Sequence, residues 1–504
     1  MNTSSNERRQ IVKNSVVFLA GTIVGVPLGI LRSVVFPLLF TPAQLGVWNL
    51  MNVILNYGSN AHLGILHGMN KAIPLLRGQD NIAKLEEVKD NVFWFNLLLG
   101  AVAAVCVGVI SLAVTSEYGL SMRITALTIF FLVIFGYLFS LLRADNRFIL
   151  ITHGTVALSV LSTFLVILLA FASYNRLSGA LIGLAIAYAL VVIYWFQKGR
   201  YHFALRIKFK IIREMLIIGL PLISIVVLDG VLLSVDRWMI AANLGTTMLG
   251  YYALGIMASN LIGLVPGSIA SVLYPKMLER FGASGNPSAL RSLFVGPTRV
   301  VVALLSLLIG GVVLTLPFLI KFLLPKYLPS VSLFGILISA AFFYAVACIP
   351  GSFMVSINRQ KMLIIIQIIA IILALVLDFV VVQMRWGIVG IAWSTAFAYA
   401  VYGGGYMVTA AYFAFERRVD RAHFLIEIYG VFAAMVLGLV LAMRFIPEGA
   451  NMGKAVVSTA LRLACFLVVL LPVLWWSNRH AGLLLIAREM FPSHFKKLRK
   501  RILQ

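Results

Sequence analysis

The chain has 504 residues, 61% of them apolar and only 12% charged, with a mean hydropathy of +1.00. Soluble domains carry about a quarter charged residues, so this composition describes an all-α polytopic membrane protein. It excludes a cytosolic enzyme, a secreted disulfide scaffold and a disordered tail protein. The 41 Lys and Arg against 17 Asp and Glu give +24, a balance that membrane orientation explains without a nucleic-acid partner.

Apolar runs fall in chain order at about 14–40, 43–67, 92–115, 122–142, 148–172, 177–197, 215–239, 247–271, 298–320, 330–352, 361–384, 387–414, 423–445 and 453–476. These are fourteen predicted transmembrane helices. Arg8, Arg9 and Lys13 precede the first run, which is long enough to be an anchor rather than a cleaved leader. With the N-terminus inside, the alternating connectors and tails hold 31 basic residues on one side and 7 on the other. Both termini are therefore expected in the cytoplasm. Cys106, Cys348 and Cys465 lie scattered in apolar runs and are assigned to packing; no metal site and no cofactor is expected.

An internal repeat follows from matched landmarks. Leu45-Gly46-Val47-Trp48 corresponds to Leu249-Gly250-Tyr251-Tyr252, Asn56 to Asn260, and Arg32 to Arg237 after one inserted residue. Asn146-Arg147 corresponds to Asn358-Arg359, and Arg176 with Gly179 and Gly183 to Arg385 with Gly387 and Gly390. An even number of spans separates the copies, so the halves share one orientation and a pseudo-two-fold along the membrane normal is expected. The predicted organisation is an N-lobe over 1–213, a C-lobe over 214–422, two extra helices over 423–476 and a cytoplasmic tail over 477–504.

Leu45-Gly46, Leu63-Gly64 and Pro74-Leu75-Leu76-Arg77-Gly78, followed by Asp236-Arg237, Leu249-Gly250-Tyr251-Tyr252, Pro266 and Pro275, resemble the Wzx-type polysaccharide repeat-unit flippases. These belong to the multidrug/oligosaccharidyl-lipid/polysaccharide (MOP) exporter superfamily. The resemblance implies two six-helix lobes, alternating access in a bacterial inner membrane, and an undecaprenyl-diphosphate-linked oligosaccharide (an O-antigen or exopolysaccharide repeat unit) as cargo. It further implies that the two extra helices border the path of the lipid tail, and that other polysaccharide-assembly membrane proteins are partners.

The ionisable and amide residues inside spans are the candidate working groups. Arg32 and Arg237 are expected in the outer half of the bilayer or at its edge, where a guanidinium either binds a diphosphate through its planar fork or snorkels and pairs, as Arg237 could with the adjacent Asp236. Asn52, Asn56 and Asn60 recur at every fourth position of span 2 and continue into His67 and Lys71. This stripe reads as a sugar-binding cavity wall or as interhelical glue, and Asn260 is its counterpart in the second half. Asp229 and Asp236 are seven apart, on one face of span 7, and Asp378 is a third intramembrane carboxylate. Each can couple transport to H+ or Na+, or neutralise an arginine. His62 is expected to make an interhelical hydrogen bond and Arg462 to snorkel. In the tail, Phe491, Phe495, Leu498 and Ile502 alternate with basic residues, the pattern of a helix lying on anionic membrane lipids.

A cation-coupled multidrug exporter is the nearest alternative, served by the acidic residues of span 7; matched arginines in both halves favour an anionic cargo instead. A membrane glycosyltransferase or polymerase would need long outer loops to present its chemistry, and the outer connectors here are short.

Overall fold

The computed structural model describes residues 25, 27–114, 118–449 and 451–481; the basic N-terminal stretch and the tail helix expected at 491–502 lie outside them. Among the described residues the regular elements are all helical. Two compact units divide the chain, Met1–Ser234 and Val235–Gln504. The first contains α1 (Pro27–Leu39), α2 (Pro42–Ser59), α3 (Ile65–Gly78), α4 (Ile82–Ala113), α5 (Tyr118–Ala144), α6 (Phe148–Ala172), α7 (Arg176–Gly199) and α8 (Phe209–Leu232). The second contains α9 (Val235–Asn243), α10 (Thr246–Ser284), α11 (Arg291–Leu323), α12 (Val331–Val346), α13 (Cys348–Ser356), α14 (Gln360–Gln383), α15 (Gly387–Ala414), α16 (Arg418–Phe445) and α17 (Met452–Ala481).

Eleven described segments are long and apolar enough to cross a membrane, so the protein is multi-pass. The remaining three of the fourteen predicted spans fall on α1, α2 and α15. The described part of α1 is short, α2 carries Asn49, Asn52 and Asn56, and α15 is rich in Gly, Ser, Thr and Tyr. Polar and small residues lower hydropathy exactly where helices line something other than lipid.

Three predicted spans are interrupted, one of them at Ala347 between α12 and α13. Between α2 and α3 the chain turns through Leu63 at φ 49° and Gly64 at φ 85°, so the predicted stripe Asn52, Asn56, Asn60, His67 and Lys71 is shared by two helices. Within span 7 the chain leaves α8 at Leu233 and re-enters α9 at Val235. That break interrupts the continuous helix from which a shared face for Asp229 and Asp236 is read, and the boundary between the units falls there.

Glycines set the α3–α8 packing. A Cβ at Gly219 would collide with the Gly64 carbonyl and one at Gly68 with the Met215 carbonyl, so the two backbones touch and no side chain fits between them. Gly219→Val should therefore separate α3 from α8, seen as a lower thermal midpoint of the purified protein. An unchanged midpoint would mean that the crossing tolerates a side chain.

The matched Asn146 and Asn358 share one conformation. Both sit at φ 57°, and in both turns the asparagine N–H bonds back three residues and the following arginine N–H bonds back five. This is the left-handed C-terminal cap that closes a helix before a tight reversal, a position that asparagine tolerates. The repeated Asn-Arg pair thus marks equivalent turns in the two units.

In the first unit, three predicted inside segments meet. The connector 200–208 lies against the start of α4: Asp90 Oδ1 accepts from the Ala204 N–H at 3.2 Å, Trp94 Nε1 donates to the Ala204 carbonyl at 3.0 Å, and the Phe93 and Phe203 rings stack at 4.1 Å. Asn91 Oδ1 accepts from the Lys208 N–H. Asp145, between α5 and α6, receives Arg77 at 2.8 Å, Lys89 at 3.5 Å and the Tyr201 hydroxyl at 3.2 Å. Burial, with Asp145 beside it, pushes the Tyr201 phenol up, so it remains a donor. Because 68–91, 143–147 and 197–213 converge, they face the same side, which their charge predicts to be the cytoplasm. Single cysteines placed at exposed Gln79 or Leu205 should resist a membrane-impermeant maleimide in intact cells and react after permeabilisation. Labelling of intact cells would invert the topology.

In the second unit, Glu427 on α16 is buried and its Oε2 accepts from Arg299 Nε and an Nη of α11 at 3.0 and 2.6 Å. This pair fastens the first extra helix to α11. α17 packs beside it, with the Phe466 ring over Gly310.

Candidate functional site

The first unit collects polar groups around α2. Asn52 and Asn56 are exposed on its surface, while the Asn52 and Asn60 amide nitrogens donate back to the Trp48 and Asn56 carbonyls at 2.7 and 3.0 Å. The neighbouring Tyr57 hydroxyl lies 2.6 Å from Ser234 Oγ, and Gly230 of α8 approaches Asn56 Oδ1, which brings α2 to the end of α8 that bears half-buried Asp229. His62 departs from its expected role. Its Nδ1 accepts the Gly64 N–H at 3.0 Å, stabilising the break rather than bridging helices, and its ring meets that of half-buried His67 edge-on at 5.6 Å. Lys71 is exposed one turn farther along α3.

Arg32 on α1 is half-buried, with Nη1 3.3 Å from Ser162 Oγ of α6 and Tyr188 as an electrostatic neighbour. A single long hydrogen bond to a hydroxyl leaves most of the guanidinium's five donors for another ligand. No carboxylate pairs with it among the described residues. The arginines expected toward the outer side differ: Arg176 donates to the Leu39 carbonyl at 2.9 Å, and Arg462 Nε donates to the Ile446 carbonyl at 2.9 Å. Arg462 is thus tied to the α16–α17 connector.

The second unit holds the carboxylates. Asp236, 3% exposed, accepts the Arg237 backbone N–H at Oδ1 and the Tyr252 hydroxyl at Oδ2, each at 2.7 Å. Thr395 Oγ1 stands 2.9 Å from the Tyr252 oxygen and 3.4 Å from Asp236 Oδ2. Asp378, 1% exposed on α14, has no hydrogen bond within 3.5 Å at either oxygen among the described residues; the Ser394 hydroxyl and Asp236 are its polar neighbours. The Arg237 guanidinium makes no salt bridge within 4.0 Å of Asp236 among the described residues. The residue gives Asp236 its backbone N–H and remains an electrostatic neighbour of that carboxylate, and its Nε is buried without a hydrogen-bond partner among the described residues. Asn260 is exposed on α10, near exposed Ser268 and Ser271 two to three turns on.

Tyr252, Thr395 and Ser394 are absent from the sequence-based candidates. Tyr252 lies inside a quoted repeat motif, and Thr395 five positions after the repeat landmark Gly390 on α15. Their role depends on α9, α10, α14 and α15 meeting. The donor set is oxygen only: two carboxyls, two alcohols and a phenol. Such a set suits a proton or a hard cation rather than a transition metal, and no group of three or more metal-ligating His, Cys, Asp or Glu side chains occurs among the described residues. Beside it, α12, α14, α15 and α16 enclose an apolar groove of about 750 Å³, lined by Phe343, Leu377, Trp393, Ser394, Phe397 and Phe432 among others.

Buried carboxylates and an arginine within a bundle of long apolar helices make this a multi-pass membrane protein with ionisable groups inside its spanning segments. Its fold is similar to solved structures. The lipid II flippase MurJ, in an inward closed conformation, superposes with a TM-score of 0.68 over 90% of this chain and 98% of that one at 14% identity. An inward-facing multidrug resistance MATE family transporter of the MOP superfamily gives 0.58 over 81% and 98% at 15% identity. A MOP superfamily transporter from Pyrococcus furiosus gives 0.52 over 82% and 96% at 13% identity. No curated protein sequence matches the chain. The polysaccharide biosynthesis protein family model matches residues 38–331, and the chain belongs to that family.

Proposed function

We propose that the protein moves an undecaprenyl-diphosphate-linked oligosaccharide, an O-antigen or exopolysaccharide repeat unit, from the cytoplasmic to the outer leaflet of a bacterial inner membrane. It does so by alternating access, with both termini in the cytoplasm and no chemical step. Membership of a polysaccharide biosynthesis family by a chain built as a MOP transporter is the observation that carries this reading. Arg32 supports it, because a guanidinium with unspent donors in the membrane favours a diphosphate and repels organic cations. The apolar groove beside α16 suits the polyprenyl chain.

Coupling to H+ or Na+ belongs to Asp378 and Asp236. A carboxylate in low dielectric without a hydrogen bond is costly unless a proton or cation neutralises it. Asp378 is in that position, and the hydroxyls of Ser394 and Thr395 add neutral oxygens. Reconstituted vesicles should transfer lipid-linked oligosaccharide outward and accelerate under an imposed proton or sodium gradient. Vesicles that instead expel a cationic dye and leave the lipid-linked sugar in place would make the protein a multidrug exporter.

A further inference from the structure

The connector after α7 presents apolar side chains that none of the described residues covers. Its backbone is pinned to α4 at Ala204 and Lys208, and the Arg206 N–H closes a tight turn onto the Ala204 carbonyl at 2.8 Å, with Leu205 at the tip. Beyond that turn Ile207 is 69% exposed and Phe209, the first residue of α8, is 78% exposed. Basic residues alternate with them. Lys208 is taken up by Glu87, and Arg206 is an electrostatic neighbour of Glu87 and Asp90. Arg206, Lys210 and Arg213 are exposed and make no ion pair among the described residues.

The place of this patch points to what covers it. Glu87, Asn91 and Trp94, which hold the connector, lie on one face of α4, and the next turns of that face carry the exposed Leu98, Val102 and Val105. On a spanning helix such a stripe faces lipid. Leu98 stands one turn, about 6 Å, beyond Trp94, and a tryptophan at the start of a lipid-facing stripe marks the membrane–water interface. The start of α8 repeats this order, since exposed Arg213 precedes exposed Ile217 and Leu220 by one and two turns. Both helices therefore set residues 206–213 at headgroup level on the periphery of the first unit, on the side that charge predicts to be cytoplasmic.

At that level apolar side chains enter the acyl boundary while guanidinium and ammonium groups meet phosphates. We propose that residues 206–213 bind anionic glycerophospholipids of the cytoplasmic leaflet. Ile207 and Phe209 insert between the acyl chains, and Arg206, Lys210 and Arg213 contact the phosphates. Lipid rather than a soluble protein is the occupant because cations outside any ion pair flank the apolar pair, and the lipid-facing stripe begins one turn away. The site is independent of the cargo: it anchors the start of α8, the helix that leads to the break before Asp236.

The test places a nitroxide at Ile207→Cys or Phe209→Cys in the full chain, with Cys106, Cys348 and Cys465 replaced by alanine, in lipid nanodiscs. Electron paramagnetic resonance compares collision with oxygen, which partitions into hydrocarbon, and with a water-soluble nickel chelate. Gln79→Cys, exposed on the same predicted side, is the water reference. In discs containing phosphatidylglycerol, nickel accessibility at 207 and 209 should fall at least about threefold below that at 79. In discs of phosphatidylcholine alone, and after Arg206→Glu, Lys210→Glu and Arg213→Glu are combined, it should rise about twofold or more. Accessibility equal to that at 79, or the same shielding in both kinds of disc and in the charge-reversed protein, would overturn the proposal. Shielding that appears only when cytosolic protein is added would overturn it in favour of a protein partner. An unchanged thermal midpoint certifies each variant as folded; Arg206→Gln, Lys210→Gln and Arg213→Gln, which remove charge without reversing it, serve if the glutamate changes unfold the chain.

Discussion

Replacing Asp378 by Asn is expected to abolish gradient-driven transport while the protein remains folded. The substitution keeps the shape of the side chain and removes the charge that a proton or cation would neutralise. Loss of a buried ion pair normally destabilises by about 3–5 kcal/mol, because the abandoned partner stays charged. Asp378 makes no ion pair among the described residues, and only the neutral Ser394 hydroxyl and Asp236 stand beside it, so no oppositely charged partner is abandoned. The thermal midpoint should stay near that of the unaltered protein, and binding of lipid-linked cargo should persist while acceleration by an imposed gradient disappears. Asp236→Asn should behave differently, since Asp236 accepts from Tyr252 and from the Arg237 N–H; loss of stability should accompany loss of transport. A stable Asp378→Asn protein with full gradient response would remove Asp378 from the coupling scheme.

Arg32→Ala should abolish flipping at normal protein level, and Arg32→Lys should restore only part of it. Lysine keeps the charge but loses the planar fork that grips a diphosphate through two parallel bonds. The long Arg32–Ser162 contact supplies the control. If that contact were the purpose of the arginine, Ser162→Ala would be as damaging as Arg32→Ala. If the arginine serves the cargo, Ser162→Ala should leave transport within about twofold, since a weak neutral hydrogen bond contributes only about 0.5–1.5 kcal/mol. Equal loss in Ser162→Ala and Arg32→Ala would assign Arg32 to helix packing.

Hydropathy made most of the bundle legible, because a lipid-facing helix must be apolar along its length; α14, at a mean hydropathy of 3.0, is the extreme case and makes Asp378 conspicuous within it. The same measure weakens for α2 and α15, whose amides, glycines and phenols serve internal surfaces. The repeat was legible at Asn146 and Asn358, where one residue type meets one backbone conformation. The partners of Asp236 were not legible. Tyr252 and Thr395 stand 16 and 159 positions away, and only the packing of four helices brings them together. Nor did spacing expose the break before α9, since nothing in Leu233-Ser234 is a helix breaker. The shared face of Asp229 and Asp236 is read from unbroken periodicity, and the turn at Leu233-Ser234 interrupts that periodicity.

The anchored connector 200–208 changes what it means to cut this protein in two. A loop rich in basic residues between two repeated halves looks like a natural split point, with each fragment keeping one half. Here the connector is fastened to α4, and the helix that follows it, α8, is locked backbone to backbone against α3. Severing the chain at Leu205 would not free a half; the C-terminal fragment would still carry a helix that belongs to the first unit. Fragments 1–205 and 206–504 should therefore reassemble through α8 when made together, and 206–504 made alone should present the bare Gly219 surface of that helix to lipid.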